Sequence, residues 1–327
     1  MFKESAQAIR AGRSPLLLTG VEGELLGKTA MIDGNTRIGD TMLLDRIPDP
    51  IGAVPRLEGG MLIERIAAAP ELVLCGGGHV SVQVAKIAKL CGFAVTVIDD
   101  REEFASAQRF PEADHIFCEP FPSALQKTKP NSYYVIVTRG HKDDRACLAR
   151  ILDLPFAYCG MIGSKTKVAL VFEQLRKDGY PADRIAAVHA PIGLSIGANT
   201  PEEIAVSIVG ELISVKNAGS VGVTWDEDLL RGIETAEEPY AMVSLISKHG
   251  SAPRSTGARM IVKRDGTILS SVGGGYGEYE AAQYALAMLR DGTPVRRYTC
   301  SMTNDDAANA GMVCGGKIEV FIQIVKE

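Results

Sequence analysis

Three groups of residues in this 327-residue chain have the types and spacing to do chemistry. The first is Gly76-Gly77-Gly78-His79-Val80-Ser81, a G-x-G-x-x-S pattern entered from the apolar run 71–75. Gly76 suits a tight turn, and Gly78 lets backbone approach a pyrophosphate held at a helix N-terminus. Ser81 is small enough to keep that helix close to a sheet. A second apolar run, AVTVIDD (94–100), brings Asp99 to a strand end 23 residues after Gly76, where a carboxylate would accept hydrogen bonds from ribose hydroxyls. The plain alternative is a tight strand-to-helix turn that has lost its ligand. The order strand, glycine turn, helix and strand-terminal acid favours a nucleotide.

The second group follows two later apolar runs, as Thr138-Arg139-Gly140-His141-Lys142-Asp143-Asp144 and as Gly163-Ser164-Lys165-Thr166-Lys167. Arg139, His141 and Lys165 have the charge, and Ser164 the hydroxyl, for contacts to phosphate. A solvated charged loop explains the first stretch equally well. The third group lies towards the C-terminus. HGSAPRSTGARM (249–260) puts Arg254 and Arg259 in a loop of small residues. SVGGGYGEYE (271–280) joins a strand to a helix through Gly273, Gly274 and Gly275, and GMVCGGKIEV (311–320) sets Cys314 in a glycine turn. Amides that hold anions, guanidinium forks and a thiol suit a phosphorylated, sulfur-bearing ligand. Ordinary turns around a buried, inert cysteine are the competing reading.

The elements that must position these residues are legible from pattern. Apolar runs at 71–75, 94–100, 115–119, 133–138 and 156–163 alternate with helical stretches, which implies a parallel, doubly wound sheet with its ligand at the carboxyl ends of the strands. Thr200, Pro201 and Glu203 mark the capped start of a helix that runs to Gly219. SVGVTWDEDLL then reads as a linker. From about 240 the pattern is β-rich, with Asp265-Gly266 as a hairpin turn, a helix over 277–292 and a final strand over 317–325. The expected fold is therefore α/β, a Rossmann-type doubly wound parallel sheet plus a smaller α+β domain. The chain divides into an N-terminal segment (1–64), the nucleotide-binding domain (65–219) and the α+β domain (220–327). The N-terminal segment repeats the helix, strand and hairpin order of the α+β domain. It reads as a partial copy that lacks the later helix and the Cys-Gly-Gly turn, or as a chance likeness of short β segments.

Composition narrows the function classes. A net charge of -5 and a pI near 5.7 argue against nucleic acid, which needs a basic surface. No apolar run approaches the roughly 18 residues of a membrane helix, and the first residues carry no signal-peptide pattern. No two of the seven cysteines lie within four residues of each other, so no zinc knuckle or resident metal site is expected. A reduced, cytoplasmic protein is the simple reading.

In combination, LCGGGHVSVQVAKIAKLCGFAVTVIDDREEF, CGMIGSKTK, HAPIGLSIGANTPEEIAVSIVGELI, GSAPRSTGARMIV, SVGGG and VCGGKIEV resemble the xanthine dehydrogenase accessory factor family of the XdhC/CoxI type. The resemblance covers most of the chain, although such proteins commonly carry the second domain first. It implies a maturation factor that binds the molybdenum cofactor, as molybdopterin or its dinucleotide form. Such a factor helps the cofactor receive sulfur from a cysteine desulfurase and delivers it, as a chaperone, to an apo molybdenum hydroxylase. By the same resemblance, Arg254, Gly273, Gly274, Gly275, Glu278 and Cys314 form the cofactor site, with Cys314 the candidate for sulfur handling. Gly76, Gly78, Ser81, Asp99, His141, Ser164 and Lys165 are the nucleotide candidates, for NAD(P) or another nucleotide. The chain departs from the family at Tyr276, where a cysteine is common, and at Arg139, where a histidine is common. An NAD(P)-dependent oxidoreductase with His141 as acid/base and a nucleotide-sensing module without turnover are the rival expectations. A homodimer is the assembly to test for.

Overall fold

Leucine-rich and β-branched runs bounded by glycine turns become strands through the first 68 residues. The computed structural model describes residues 1–48, 51, 54–219, 222–249, 256–301 and 317–326. They fall into two units, Ala69–Ser220 and the combination of Met1–Ala68 with Val221–Glu327. In the N-terminal part, α1 (Phe2–Arg10) leads into β1 (Leu16–Gly20), β2 (Thr29–Asp33), β3 (Thr36–Gly39), the short α2 (Thr41–Asp45), β4 (Arg56–Glu58) and β5 (Met61–Ala67). These strands form an antiparallel sheet in the order β3-β2-β1-β5-β4.

The second unit begins at β6 (Glu71–Cys75), followed by α3 (His79–Leu90), β7 (Ala94–Asp99), β8 (His115–Cys118), α4 (Phe121–Ala124), β9 (Ser132–Ile136), α5 (His141–Leu152), β10 (Phe156–Met161), α6 (Lys165–Lys177), α7 (Ala182–Ala186) and α8 (Pro201–Gly219). Its five strands are all parallel, in the order β10-β9-β6-β7-β8. β6, β7, β9 and most of β10 are buried between helices on both faces, which is why they read as continuous apolar runs, while the edge strand β8 is partly exposed. Cys147, Leu148, Val168 and Val171 of α5 and α6 pack on one face. Val84 and Ala85 of α3 and Ile208 and Leu212 of α8 pack on the other. The strand order reverses between β6 and β9, and a crevice at such a reversal is where doubly wound folds take ligands. The capping box forms at α8: Glu203 accepts from the Thr200 amide and the Thr200 hydroxyl accepts from the Glu203 amide, each at 3.2 Å.

The chain then returns to the first unit. The stretch expected as a linker is instead structured: β11 (Val223–Thr224) pairs in parallel with β5, and Asp226 caps α9 (Glu227–Glu234) at the Leu229 amide. Next come β12 (Tyr240–His249), β13 (Arg259–Val262), β14 (Ile268–Ser270), α10 (Gly275–Asp291), β15 (Val295–Ser301) and β16 (Lys317–Val325). They form a second antiparallel sheet, β14-β13-β12-β16-β15, with α10 packed on one face through Ala281, Ala282 and Ala285. The other face meets the N-terminal part. Phe2, Ile9 and Leu17 share one apolar cluster with Trp225, Leu230, Met242 and Ile261. The 1–64 segment thus shares its packing with the C-terminal sheet. Arg259, expected in a loop as an anion fork, is a buried β13 residue whose guanidinium pairs with buried Glu64 of β5. It holds the sheets together and offers a ligand nothing.

Candidate functional site

After β6 the chain turns at Gly76 with a φ of 112°, a left-handed value that disfavours any side chain. A Cβ there would lie 2.5 Å from the Val137 carbonyl oxygen, and one on Gly77 would lie 2.1 Å from the Phe104 oxygen. Gly78 is different. It caps α3 with an ordinary φ of -69°, and nothing lies within 4 Å of the place a Cβ would take. The space in front of Gly78 is open. Ser81 is fully buried and its hydroxyl donates to the Gly76 carbonyl, tying the helix to the turn.

Asp99 ends β7 as expected, yet its carboxylate is already occupied. It is 1% exposed and accepts from the Gly77 amide (2.8 Å), the Arg101 amide (3.1 Å), and Arg101 Nε and Nη2 (2.8 and 2.9 Å). Burial would raise its pKa, but the Arg101 guanidinium and the two amides outweigh burial and hold it below the usual carboxylate range. Arg101 in turn lies over the Phe104 ring at 3.6 Å, and Arg109 Nε donates to the Gly77 carbonyl at 2.7 Å. The residue expected to accept a ribose therefore locks the glycine turn. The carboxylate exposed at this strand end is its neighbour Asp100, 3.4 Å from Arg139.

At the carboxyl ends of β9 and β10, two helix N-termini come together. Ser164 caps α6 by accepting from the Lys167 amide at 3.2 Å, Lys165 is the exposed first residue of α6, and His141 is the first residue of α5. A cavity of about 900 Å³ between the two helices is lined by Gly140, Lys142, Arg145, Ser164, Thr166 and Lys167. Beneath it, Asp144 is fully buried, accepting from the Thr138 hydroxyl at 2.6 Å and paired with Lys167. Lys142 gives the cavity a cationic group at the two helix N-termini, while Arg145 and Lys167 are paired with Asp178 and Asp144 and Leu170 and Val171 make its deeper wall apolar.

The C-terminal glycine loop is also filled from within. Gly273, Gly274 and Gly275 all have positive φ and lead into α10. Glu278 Oε2 accepts from the Ser271 hydroxyl (2.5 Å) and from the amides of Val272 (2.9 Å), Gly273 (3.3 Å) and Gly274 (3.0 Å). Burial works against this charge, but the hydroxyl and the three amides prevail and hold the carboxyl below its usual range. The amides form the anion cradle expected from sequence, and its anion is the chain's own. The described loop suits a cofactor phosphate only with Glu278 withdrawn. Arg254 and Cys314 lie outside the described residues.

Two groups that carried no signal in the sequence emerge. His189 Nδ1 is hydrogen-bonded to Glu211, whose other oxygen accepts from the Gly193 amide, and the imidazole lies 4.7 Å from the Tyr158 ring. Near the cradle, buried Cys300 sits below Gly277, its Cβ 3.8 Å from where a Gly277 Cβ would be. Burial first, and Glu280 second, push the Cys300 thiol up to about 12. Glu280 also accepts from the Tyr298 hydroxyl at 3.0 Å.

These features have relatives. Residues 72–212 match the XdhC Rossmann domain, and residues 234–299 match the XdhC and CoxI family. An uncharacterized protein, YqeB, of Escherichia coli strain K12 is 37% identical over 157 residues, which are 47% of this chain and 29% of that protein. A probable xanthine dehydrogenase subunit of Bacillus subtilis strain 168 is 32% identical over 164 residues, 49% of this chain and 47% of that protein. The chain thus matches less than half the length of either curated relative. A Bacillus halodurans protein solved as a xanthine dehydrogenase superposes with a TM-score of 0.54 at 25% identity, over 65% of each chain. The two domain matches occupy most of the chain and fall on the wound sheet and the glycine-loop sheet described above: the protein belongs to the XdhC and CoxI family.

Proposed function

We propose that this protein is an accessory factor for a xanthine dehydrogenase-type molybdenum hydroxylase. In this reading it binds the molybdenum cofactor, assists its sulfuration by a cysteine desulfurase, and hands it to the apo-hydroxylase. The observation that carries the proposal is the pairing, in one chain, of the XdhC Rossmann domain with the glycine-loop domain of the XdhC and CoxI family. The related proteins named as a xanthine dehydrogenase or as one of its subunits support a client of that class.

The geometry supports a binding role over hydride-transfer turnover. Asp99 is bonded to its own chain, which leaves a dinucleotide's ribose without the usual acceptor. The open approach at Gly78 and the cavity between α5 and α6 support a nucleotide or another anionic ligand held there without redox chemistry. At the C-terminal cradle, Glu278 stands where a cofactor phosphate would lie, so binding there requires that carboxylate to leave the amides. The test is reconstitution. Apo-hydroxylase incubated with the purified protein, sulfide donor and molybdenum cofactor should gain activity faster than without the protein. Equal activation in both arms contradicts the proposal, as does sustained NADH or NADPH oxidation by the protein alone.

A further inference from the structure

The two antiparallel sheets share more than their strand order. Each is preceded by a helix, α1 or α9, and each interposes a helix, α2 or α10, between its third and fourth strands in chain order. The first-numbered strand is central in both, β1 between β2 and β5, β12 between β13 and β16. Laying Leu17 on Met242 places Thr19 on Ser244 and Val21 on Ile246. Thr19 pairs across the sheet with Thr29 and Leu62, and Ser244 pairs with Arg259 and Phe321. Leu17 pairs with Glu64 where Met242 pairs with Gln323. Thr19 and Ser244 are both buried hydroxyl residues, 1% and 2% exposed.

The contacts between the halves obey the same correspondence. The buried members of one apolar cluster are Val21, Leu62, Ile246 and Phe321, that is, two matched pairs, as at an isologous two-fold interface, with the unmatched Leu57 and Val295 packed at its margin. A second joins Leu17 to its match Met242 and α1 to α9. Glu64 of one half reaches Arg259 of the other. The matched positions are Gln323 and Thr29, and Gln323 Nε2 reaches across to the Gly27 carbonyl at 3.0 Å, two residues from Thr29. Among the described residues Gln323 Oε1 has no hydrogen-bond partner there, an acceptor where the matched arginine is missing. Sheets of this order arise independently, but an independent origin does not require that interface contacts also fall on matched residues.

We infer that the N-terminal half is a second copy of the C-terminal module, seated on it as the other subunit of a two-fold dimer. The surface involved is a self-association face, and the chain fills it with its own N-terminus. The copy has lost the cradle. Its α2 spans five residues where α10 spans 17, and Gly59-Gly60 joins β4 to β5 where residues 302–316 join β15 to β16. The pair therefore carries one cradle, and neither a client enzyme nor a second chain reaches this face.

The experiment moves the ion pair to its symmetry mate in the full-length protein. Thr29→Arg, Gln323→Glu and the double variant are compared by thermal unfolding. Matched positions predict that the double variant melts at least about 2 °C above the sum of the two single effects, since the new charges occupy the positions matched to Arg259 and Glu64. Purely additive shifts overturn the inference. Should the charged variants not fold, Leu62→Ala and Phe321→Ala are read by hydrogen exchange at β1 and β12. A two-fold interface predicts lost protection in both halves from either truncation, and loss confined to the truncated half overturns it.

Discussion

Replacing Asp99 with asparagine separates a lock from a ligand group. The carboxylate accepts four hydrogen bonds, from the Gly77 amide, the Arg101 amide and two guanidinium nitrogens, while it is itself 1% exposed. Asparagine keeps one acceptor, loses the charge, and turns an amide NH2 towards groups that are donors. Breaking a buried ion pair costs about 3–5 kcal/mol, and an unsatisfied buried amide about 1–3 kcal/mol. The Arg101 side chain is 29% exposed and recovers some hydration when released, so about 2–4 kcal/mol is expected for the variant. For a unit of this size that is a fall of about 5–15 °C in melting temperature. Asp100→Asn, at the exposed neighbour, should stay within about 0.5 kcal/mol of the parent. The assay is thermal unfolding by circular dichroism, paired with calorimetric titration of ADP and NADP. An Asp99→Asn protein with the parent's melting temperature and tenfold weaker nucleotide binding would show instead that the carboxylate serves the ligand.

Gly76→Ala should destabilise the wound unit by at least about 2 kcal/mol through its φ and the clash at Val137, whereas Gly78→Val should keep the fold and lose anionic-ligand binding; denaturation and calorimetry on both decide this. Glu278→Gln should cost about 1–3 kcal/mol and strengthen binding of inorganic phosphate, measured by competition, because the cradle is no longer filled by a full charge. Asp99 and Glu278 both have lowered carboxyl pKa values in the fold. Their contribution is present above the unfolded values of about 4 and is lost as pH falls through the folded ones. Asp99→Asn and Glu278→Gln should therefore each reduce the parent's loss of stability between about pH 5 and pH 2, followed by denaturant titration. Native protein at pH 8 should alkylate at exposed Cys118 while Cys300, pushed up to about 12, stays unmodified in the mass spectrum.

The wound sheet was legible because its signals are local. Strand, glycine turn and helix succeed one another within some thirty residues, and the Thr200–Glu203 box and the Gly292 stop are spelled out over single turns. The partners of the charged residues were not legible, because they are set by contacts distant in sequence. Asp99 has the spacing of a ribose acceptor, yet the same spacing delivers it to the Gly77 amide. Glu278 lies one turn into a helix, where its side chain folds back onto the loop amides expected to be free. Arg259 follows a glycine-rich loop and looks like a surface fork, but its partner Glu64 is 195 residues away. His189 carried no motif because the carboxylate that orients it is on a later helix. The N-terminal echo is visible as an order of elements, and only the pairing of strands shows that the strand order within the sheet recurs as well.

As proposed above, the protein carries a molybdenum-bound pterin for a client enzyme. The most direct measurement is the molybdenum and pterin content of full-length protein purified anaerobically from cells making the cofactor, by elemental analysis and by fluorescence of the oxidised pterin. Molybdenum and pterin in equal, near-stoichiometric amounts, at most one per chain and retained or raised in a Glu278→Ala variant that still folds, is the predicted result. Protein that is fully folded and free of both, from cells whose molybdenum hydroxylases are loaded, would contradict it.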